Sequence, residues 1–513
     1  MILIRTNLDI SIGLGHYKRM LRLARELKKF DKKIIILIDK PNYEFESKEF
    51  KHYYLYEKKN YQSEILDAKK TKEIVNIYRV TQVIVDDYRF GFKWEKIVKS
   101  TKIKLTVFDD FPENKHFCDS YVNFKLLSEE EKKKIDKSFN KKTKLLIGPK
   151  YSILNKFLKK KNYYTDTSFN ITFYAGGGGD SKIFYKLIKN LCLKTEKNIK
   201  INLIISMNKN YLNKYQLIQK KYKNFNIYFK DKYLEIMSKT NLFIGCQGNA
   251  IYENSYLKKL SIFFPAARNQ INDISKLNAL GHFFIIKREN LSDYLNITKL
   301  IKNIKENFLQ VSKQSFHKVN QVDSRGSLRI AESIMNKITK NKQKKLKKIN
   351  KKFVIRKINL KDIFQYLEAR NCKINRLKML NTNKINLIDH YNWWLSNEFK
   401  VRETYKVCFE NKTLLFIWHK LTKINNRKYF IGGWFVKSSL CKISDILIAL
   451  KWQLKVTKNK NIKWLAIINK NNSVVLKLNK LLGFKKEFAS KKDLLNAKYY
   501  FKSSIKNFDY FVL

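Results

Sequence analysis

The strongest constraint on this chain is a repeated switch between short apolar runs of strand length and longer stretches of helical period, sustained over residues 1–340. Met1-Ile2-Leu3-Ile4, Lys33 to Ile38, Val83 to Val85 and Lys104 to Phe108 are β-rich. Between them, Leu21 to Lys29 and Glu64 to Tyr78 read as helices. A βαβα order of this kind predicts an α/β fold with a parallel sheet covered on both faces. The pattern pauses at Gly148-Pro149 and restarts at Ile171-Thr172-Phe173-Tyr174. Further strands are expected at Asn202–Ser206, Asn226–Phe229, Leu242–Gly245 and Ser261–Phe264. The reading is two lobes, residues 1–150 and 151–340, facing one another across a cleft. Open sheets of this type bind ligands at the carboxyl ends of their strands.

Residues 341–352 form a lysine-rich stretch; counted from Lys340 to Lys352 it has eight lysines and no proline or glycine. Such a run suits a solvated connector. All four prolines and twelve of the fifteen glycines precede it, so the composition changes there and a domain boundary falls near residue 345. Residues 353–513 read as a further mixed α+β domain. Its expected strands are Phe353–Ile358, Leu414–His419, Tyr429–Val436 and Lys463–Ile468, and its expected helices Leu360–Arg370, Ser444–Val456 and Ser473–Leu482.

With 107 Lys+Arg against 44 Asp+Glu the net charge is +63, a field that attracts polyanions. The lysines are spread along the chain, and no basic motif is interleaved with base-stacking aromatics. The expectation is no specific nucleic-acid partner and at most a weak, salt-sensitive attraction to anionic surfaces. The six cysteines lie far apart with no C-x-x-C pair, which points to reduced thiols and no metal site. No apolar run approaches the ~18 residues that span a bilayer, and no signal-peptide pattern opens the chain. A cytoplasmic protein without a transmembrane segment is expected.

Three glycine-bearing loops sit where a strand hands over to a helix. In the first, Gly13 and Gly15 lead into His16 and then Arg19. Glycines there let a ligand approach the backbone, and the free N–H groups of the helix start favour anions. The positive helix end favours the neutral imidazole of His16, the form that accepts a proton, so His16 fits a general base as well as a plain helix cap. The second loop runs Gly176, Gly177, Gly178, Gly179 into Asp180 and can present several amides to a phosphate. The third, Gly248 and Asn249 followed by Glu253, places a carboxylate one turn into a helix, where it could bind ribose hydroxyls. Asn269 and Gln270 point the same way. His52, His282, His317 and His419 read as structural side chains, while His390, beside Trp393 and Trp394, fits a substrate contact as well as a packed side chain.

Taken in order, Gly13-Leu14-Gly15-His16 with Arg19, Asp86-Asp87-Tyr88, Asp109-Asp110 with His116 and Cys118-Asp119, Gly148-Pro149-Lys150-Tyr151, and Gly248 through Glu253 to Asn269-Gln270 resemble the UDP-sugar hydrolases of pseudaminic acid biosynthesis. These act on UDP-2,4-diacetamido-2,4,6-trideoxy-β-L-altropyranose and are related to GT-B glycosyltransferases. The resemblance covers about residues 1–335. It implies two Rossmann-like lobes in a GT-B-like arrangement, with UDP bound mainly by the second. It further implies metal-independent, inverting hydrolysis without a cofactor, His16 activating water beside Asp87 and Tyr88. The family usually carries Asp-His-Tyr where this chain has Asp86-Asp87-Tyr88, and Asp-Gly-Ser where it has Asn7-Leu8-Asp9.

Residues 353–513 resemble a GCN5-related N-acetyltransferase of the kind that acetylates a UDP-amino-sugar. The likeness lies in Arg370-Asn371, Ile388-Asp389-His390 with Trp393, and Asn472-Ser473 through Leu481-Leu482-Gly483-Phe484. It implies acetyl-CoA near Lys437, Ser438 and Asn472. The loop Val436 to Lys442 lacks the glycines such enzymes place at the pyrophosphate, and Asn479 stands where a tyrosine often sits. Two other readings remain open: a GT-B glycosyltransferase that uses a UDP-sugar, and a polyanion-binding protein built on degenerate enzyme folds.

Overall fold

The computed structural model describes residues 1–8, 15–40, 46–56, 61, 63–155, 168–177, 179–194, 198–206, 211–266, 274–317, 319, 321–336, 353–424, 426–458, 462–486 and 508–513. The linker expected at 341–352 lies outside them. The chain divides into two compact units, Met1–Thr298 with Ser315–Lys342, and Lys299–Gln314 with Gln343–Leu513.

In the first unit, strands β1 (Ile2–Thr6), β2 (Ile34–Ile38), β3 (Lys51–Tyr54), β4 (Gln82–Asp86), β5 (Lys104–Phe108), β6 (Ser120–Asn123) and β7 (Lys144–Ile147) form one sheet. The order is β3-β2-β1-β4-β5-β6-β7, and every pair is parallel. Helices α1 (Gly15–Lys28), α2 (Glu64–Ile77), α3 (Phe92–Val98) and α4 (Glu129–Ser138) alternate with the strands. Their starts are written locally: Ser63 Oγ accepts the Leu66 N–H, and Ser128 and Glu131 cap α4 reciprocally.

A second sheet comprises β8 (Phe169–Tyr174), β9 (Ile199–Ile205), β10 (Phe225–Phe229), β11 (Leu242–Cys246), β12 (Leu260–Phe264) and β13 (Phe284–Ile285). Its order, β10-β9-β8-β11-β12-β13, is again parallel throughout. Helices α5 (Tyr185–Lys194), α6 (Leu212–Lys221), α7 (Tyr233–Lys239), α8 (Ala250–Leu257), α9 (Ile274–Leu277), α10 (Tyr294–Glu306), α11 (Phe308–Ser315) and α12 (Gly326–Ile334) follow in the chain. Both sheets therefore run outward from a central first strand, the Rossmann-like order, and each has a switch point between its first and fourth strands.

Alternation along the strands separates two cores in the first lobe. Leu3, Val83 and Val85 pack with Trp94 on one face. Ile2, Ile4 and Ile84 pack with Met20 and Leu23 of α1, and with Ile330 and Ile334 of α12, on the other. The chain thus returns to the first lobe after building the second. A Cβ on Gly326 would lie 2.0 Å from the Ser152 carbonyl oxygen, so only glycine lets α12 start where it does.

The second unit carries a mixed sheet of β14 (Phe353–Lys357), β15 (Glu403–Phe409), β16 (Lys412–Ile424), β17 (Arg427–Val436), β18 (Lys463–Asn469) and β19 (Phe508–Val512), in that spatial order. Helices α13 (Ile363–Asn371), α14 (Lys373–Arg376), α15 (Leu387–Trp394), α16 (Asn397–Lys400), α17 (Ile443–Val456) and α18 (Ser473–Leu481) complete it. All neighbours are antiparallel except β17 and β18, which pair in parallel at Tyr429↔Lys463 and Phe430↔Trp464. Farther along the same strands, Gly432 to Val436 and Leu465 to Ile468 line a cavity of about 730 Å³. The helix expected over Leu360–Arg370 opens as a 3-10 turn, Leu360–Asp362, before α13. All six cysteines are free thiols. Among the described residues no helix is long and apolar enough to cross a membrane.

Candidate active site

Both switch points of the first unit open into one cleft of about 880 Å³. From the first lobe, the N-terminal turn of α1 presents His16 beside the end of β4. The His16 Nδ1 lies 2.7 Å from Asp86 Oδ1. Asp86 is wholly buried, and Arg19, one turn along α1, clasps both of its oxygens, with Nε 2.5 Å from Oδ2. Burial alone would raise the Asp86 carboxyl, but Arg19 and His16 outweigh it and hold it well below the usual carboxylate range. Arg19 Nη2, which can only donate, lies 3.2 Å from Nδ1, but the 2.7 Å contact to an ionised carboxylate, which can only accept, is the shorter and assigns the hydrogen to Nδ1 of His16. In the neutral ring the lone pair is then on Nε2, the nitrogen left for the cleft that His16 lines.

The neighbours of this pair are fixed in turn. The edge of Tyr88 meets the His16 ring at a centroid distance of 4.5 Å and an interplanar angle of 85°. The Tyr88 hydroxyl donates to Asp110, and Arg19 Nη1 lies 4.0 Å from the same carboxylate. Burial, then Asp110, push the Tyr88 phenol well up, so it is a fixed wall and hydrogen-bond donor. Asp87, expected to support His16, instead holds Arg89 through contacts of 2.5 to 3.1 Å. Arg89 also binds Asp39 at 2.7 and 3.0 Å. The supporting carboxylate is thus Asp86, because the last residue of β4 points toward α1 while its successor turns to the Arg89 network.

In the second lobe, Gly176 adopts a φ of +91° after β8. A Cβ on Gly179 would lie 1.9 Å from the Ala175 carbonyl oxygen, so this loop folds back as only glycine allows. Gly177 sits against Lys230: its Cβ would meet Nζ at 2.9 Å. Gly248 and Asn249 lead into α8, whose Glu253 is nearly buried and accepts from the Tyr233 hydroxyl at 2.6 Å. Its other oxygen is 3.9 Å from Arg22 of α1. Gly15, His16, Arg19, Tyr88, Gly177, Gly248, Asn249 and Glu253 all border the cleft. Gly13, Gly178, Asn269 and Gln270 lie outside the described residues. Asp109 and His116 form a separate buried group, the imidazole bonding Glu95 at 2.6 Å and Asp109 at 3.0 Å.

Sequence reasoning missed Asp86 as the partner of His16, Tyr233, and the cations Lys18, Arg22 and Lys230. Lys18 and Arg22 share the α1 face at helical spacing, a signal concealed by the abundance of lysine.

In the second unit the loop after β17 was expected to hold the acetyl-CoA pyrophosphate. The amides of Lys437 and Ser438 both donate to the Leu414 carbonyl, Leu440 to Ser438 Oγ, Cys441 to the Ser438 carbonyl and Lys442 to Asp445. The Lys437 ammonium pairs with Glu368 at 2.6 Å, and Asn472 is nearly buried at the head of α18. This loop does not fit a glycine-loop pyrophosphate cradle, since its amides already serve the fold. Packed roles do hold for two histidines: Nε2 of His390 is 3.2 Å from the Ile363 carbonyl oxygen, and His52 Nε2 is 2.8 Å from the Tyr17 hydroxyl.

Residues 170–334 match the sequence model of the glycosyltransferase family 28 C-terminal domain. The chain is 27% identical over 511 residues to an uncharacterized protein of Methanocaldococcus jannaschii, covering 94% of this chain and 96% of that one. Among solved structures, MurG of Acinetobacter baumannii is similar at 10% identity with a TM-score of 0.48, covering 65% of this chain and 99% of its own. The UDP-GlcNAc 2-epimerase of Neisseria meningitidis, bound to UDP-GlcNAc, gives 14%, 0.45, 65% and 99%. The first unit thus holds two Rossmann-like lobes, and residues 170–334, in the second of them, are similar to the C-terminal domain of family 28 glycosyltransferases.

Proposed function

We propose that the first unit is a UDP-sugar enzyme in which His16 is the general base, and that its reaction is hydrolysis of a UDP-linked 2,4-diacetamido-2,4,6-trideoxyhexose to UDP and the free sugar. The single observation that carries this is the His16–Asp86 pair at the switch point of the first lobe, facing the glycine loops of the second. Nε2 takes a proton from water as its oxygen attacks the anomeric carbon. The bond from that carbon to the phosphate oxygen breaks, UDP leaves with the electron pair, and the configuration inverts. Asp86 stabilises the imidazolium that forms and keeps the ring in the productive tautomer. The sugar itself is proposed on the ordered motif likeness from Gly13 to Gln270. Pseudaminic acid biosynthesis is the setting that likeness implies.

The match of residues 170–334 to a glycosyltransferase domain favours a second reading, in which the same base deprotonates an acceptor hydroxyl. One assay separates the two. Incubated with the UDP-sugar alone, the protein is expected to release UDP and free sugar in equal amounts. His16→Ala is expected to lower the rate by about 10²–10⁴-fold. UDP release that appears only when an acceptor is added would establish transfer instead. The second unit is assigned no reaction, because its loop after β17 does not fit the cofactor that its resemblance implies.

A further inference from the structure

Two cations meet in the cleft without a carboxylate between them. Lys18 projects from α1 of the first lobe, and Lys230 follows β10 of the second. Their amines lie within hydrogen-bonding reach of each other, with Arg22 close by. The amine of Lys230 lies against Gly177, in the space a Cβ there would need, so it reaches the glycine loop itself. Among the described residues neither lysine has an ion-pair partner, whereas Arg19, Arg22, Arg25 and Arg89 each have one. The other charged groups bordering this part of the cleft are Asp180, Asp231, Glu253 and Arg288. Two ammonium groups at such range repel, and an anion between them removes the repulsion.

We propose that Lys18 and Lys230 form a two-armed clamp, one arm from each lobe, that closes on the diphosphate of the nucleotide and takes up one proton as it does so. This rests on the nucleotide-sugar reading above and assigns it residues that no glycine motif marks. Without an anion the contact is tolerated as an ammonium donating to a neutral amine. Burial, then Lys230 and Arg22, bring Lys18 down to about 7. A bound diphosphate makes ammonium the favoured form of both. Above about pH 7 the clamp therefore binds a proton together with its anion, and affinity falls about tenfold per pH unit. One lysine from each lobe on one anion also links ligand binding to closure of the cleft.

The test is titration calorimetry of the full chain with UDP and, separately, with inorganic pyrophosphate. It is run at pH 8 in two buffers of different ionisation enthalpy. Expected is uptake of about one proton per UDP bound, whereas pyrophosphate, which still carries a proton at pH 8, reports affinity alone. Lys18→Arg is expected to retain affinity but abolish the uptake and the pH slope. Lys18→Met and Lys230→Met are expected to weaken both ligands at least tenfold. UDP binding without proton uptake, or affinities unchanged in both methionine variants, overturns the clamp, as does failure of both anions to bind. Pyrophosphate binding that both methionine variants weaken, with UDP bound no more tightly, sustains the clamp and overturns the uridine reading instead.

Discussion

At the residue scale the site turns on which carboxylate faces the imidazole. Asp86 is enclosed by Arg19 and His16, so removing its charge leaves a buried guanidinium with only Asp110, 4.0 Å away, and frees the ring to adopt the other tautomer. Asp86→Asn is expected to lower kcat by about 10³–10⁴-fold, and to cost about 3–5 kcal/mol of stability in denaturant unfolding. Asp87→Asn disturbs only the Arg89 network and should change kcat by less than about tenfold under the same assay. Equal losses in the two variants would refute the assignment of Asp86. A second carboxylate-histidine group has a different purpose. Burial opposes a charge on His116, but its hydrogen bonds to Asp109 and Glu95 outweigh that and raise it to about 9. A raised pKa contributes stability that is complete below the ordinary histidine value of about 6.5 and disappears as pH rises through about 9. Urea unfolding at pH 7 and pH 10 should show wild type losing on the order of 2–3 kcal/mol more than His116→Gln over that interval. Identical losses would show that the imidazolium is not what holds the loop after β5 to α3.

At the element scale the legibility of a strand followed its β-rich composition rather than its burial: the half-exposed Phe353–Lys357 was read, and the fully buried Ser120–Asn123 was not. Lys104–Phe108 carries its own signal in Leu105, Val107 and Phe108 around the β-branched Thr106, and β5 occupies those residues. Strand β15 went unread because charged residues in Glu403–Phe409 dilute its apolar pattern, and β19 because Asp509 interrupts a run of only five residues. The loops were legible through glycine, since a positive φ at Gly176 and the close approach at Gly179 leave no other residue type suitable. The partner of His16 was not, because two adjacent aspartates at a strand end differ only in the direction each side chain takes. Lys18 and Lys230 were hidden by composition: among 107 Lys+Arg, two functional ones have no local mark. Gly326 belongs to the same scale, since it sets how α12 returns to α1. Gly326→Ala drives a methyl group into the Ser152 carbonyl, and α12 must move away from Ile153 and the α1 core. The expected cost is about 1–3 kcal/mol, read as a fall in the denaturant midpoint. An unchanged midpoint would mean that the start of α12 can shift freely.

At the scale of the whole molecule, the boundary read near residue 345 marks a real change in composition but not the full division of the chain. Residues 299–314 belong with the second unit, although 315–342 return to the first. Nothing local in α10 or α11 announces this, because an amphipathic helix records that it packs and not against what. The contacts do: Asn303 Nδ2 donates to Asn392 Oδ1 at 2.9 Å, and Asn307 Nδ2 to the Leu395 carbonyl at 3.3 Å. Both fasten the segment to α15 and the residue that follows it. A fragment cut at the composition boundary, 343–513, therefore lacks part of its own unit, whereas 299–513 retains it. Two hydrogen bonds at about 1 kcal/mol each, with the apolar contacts that accompany them, correspond to a difference of at least about 5 °C for a domain of this size. Thermal unfolding of the two fragments should place 299–513 higher by that amount, and Asn392→Ala should lower the longer fragment without affecting the shorter. Equal melting temperatures would return residues 299–314 to the first unit and restore the boundary that composition alone suggests.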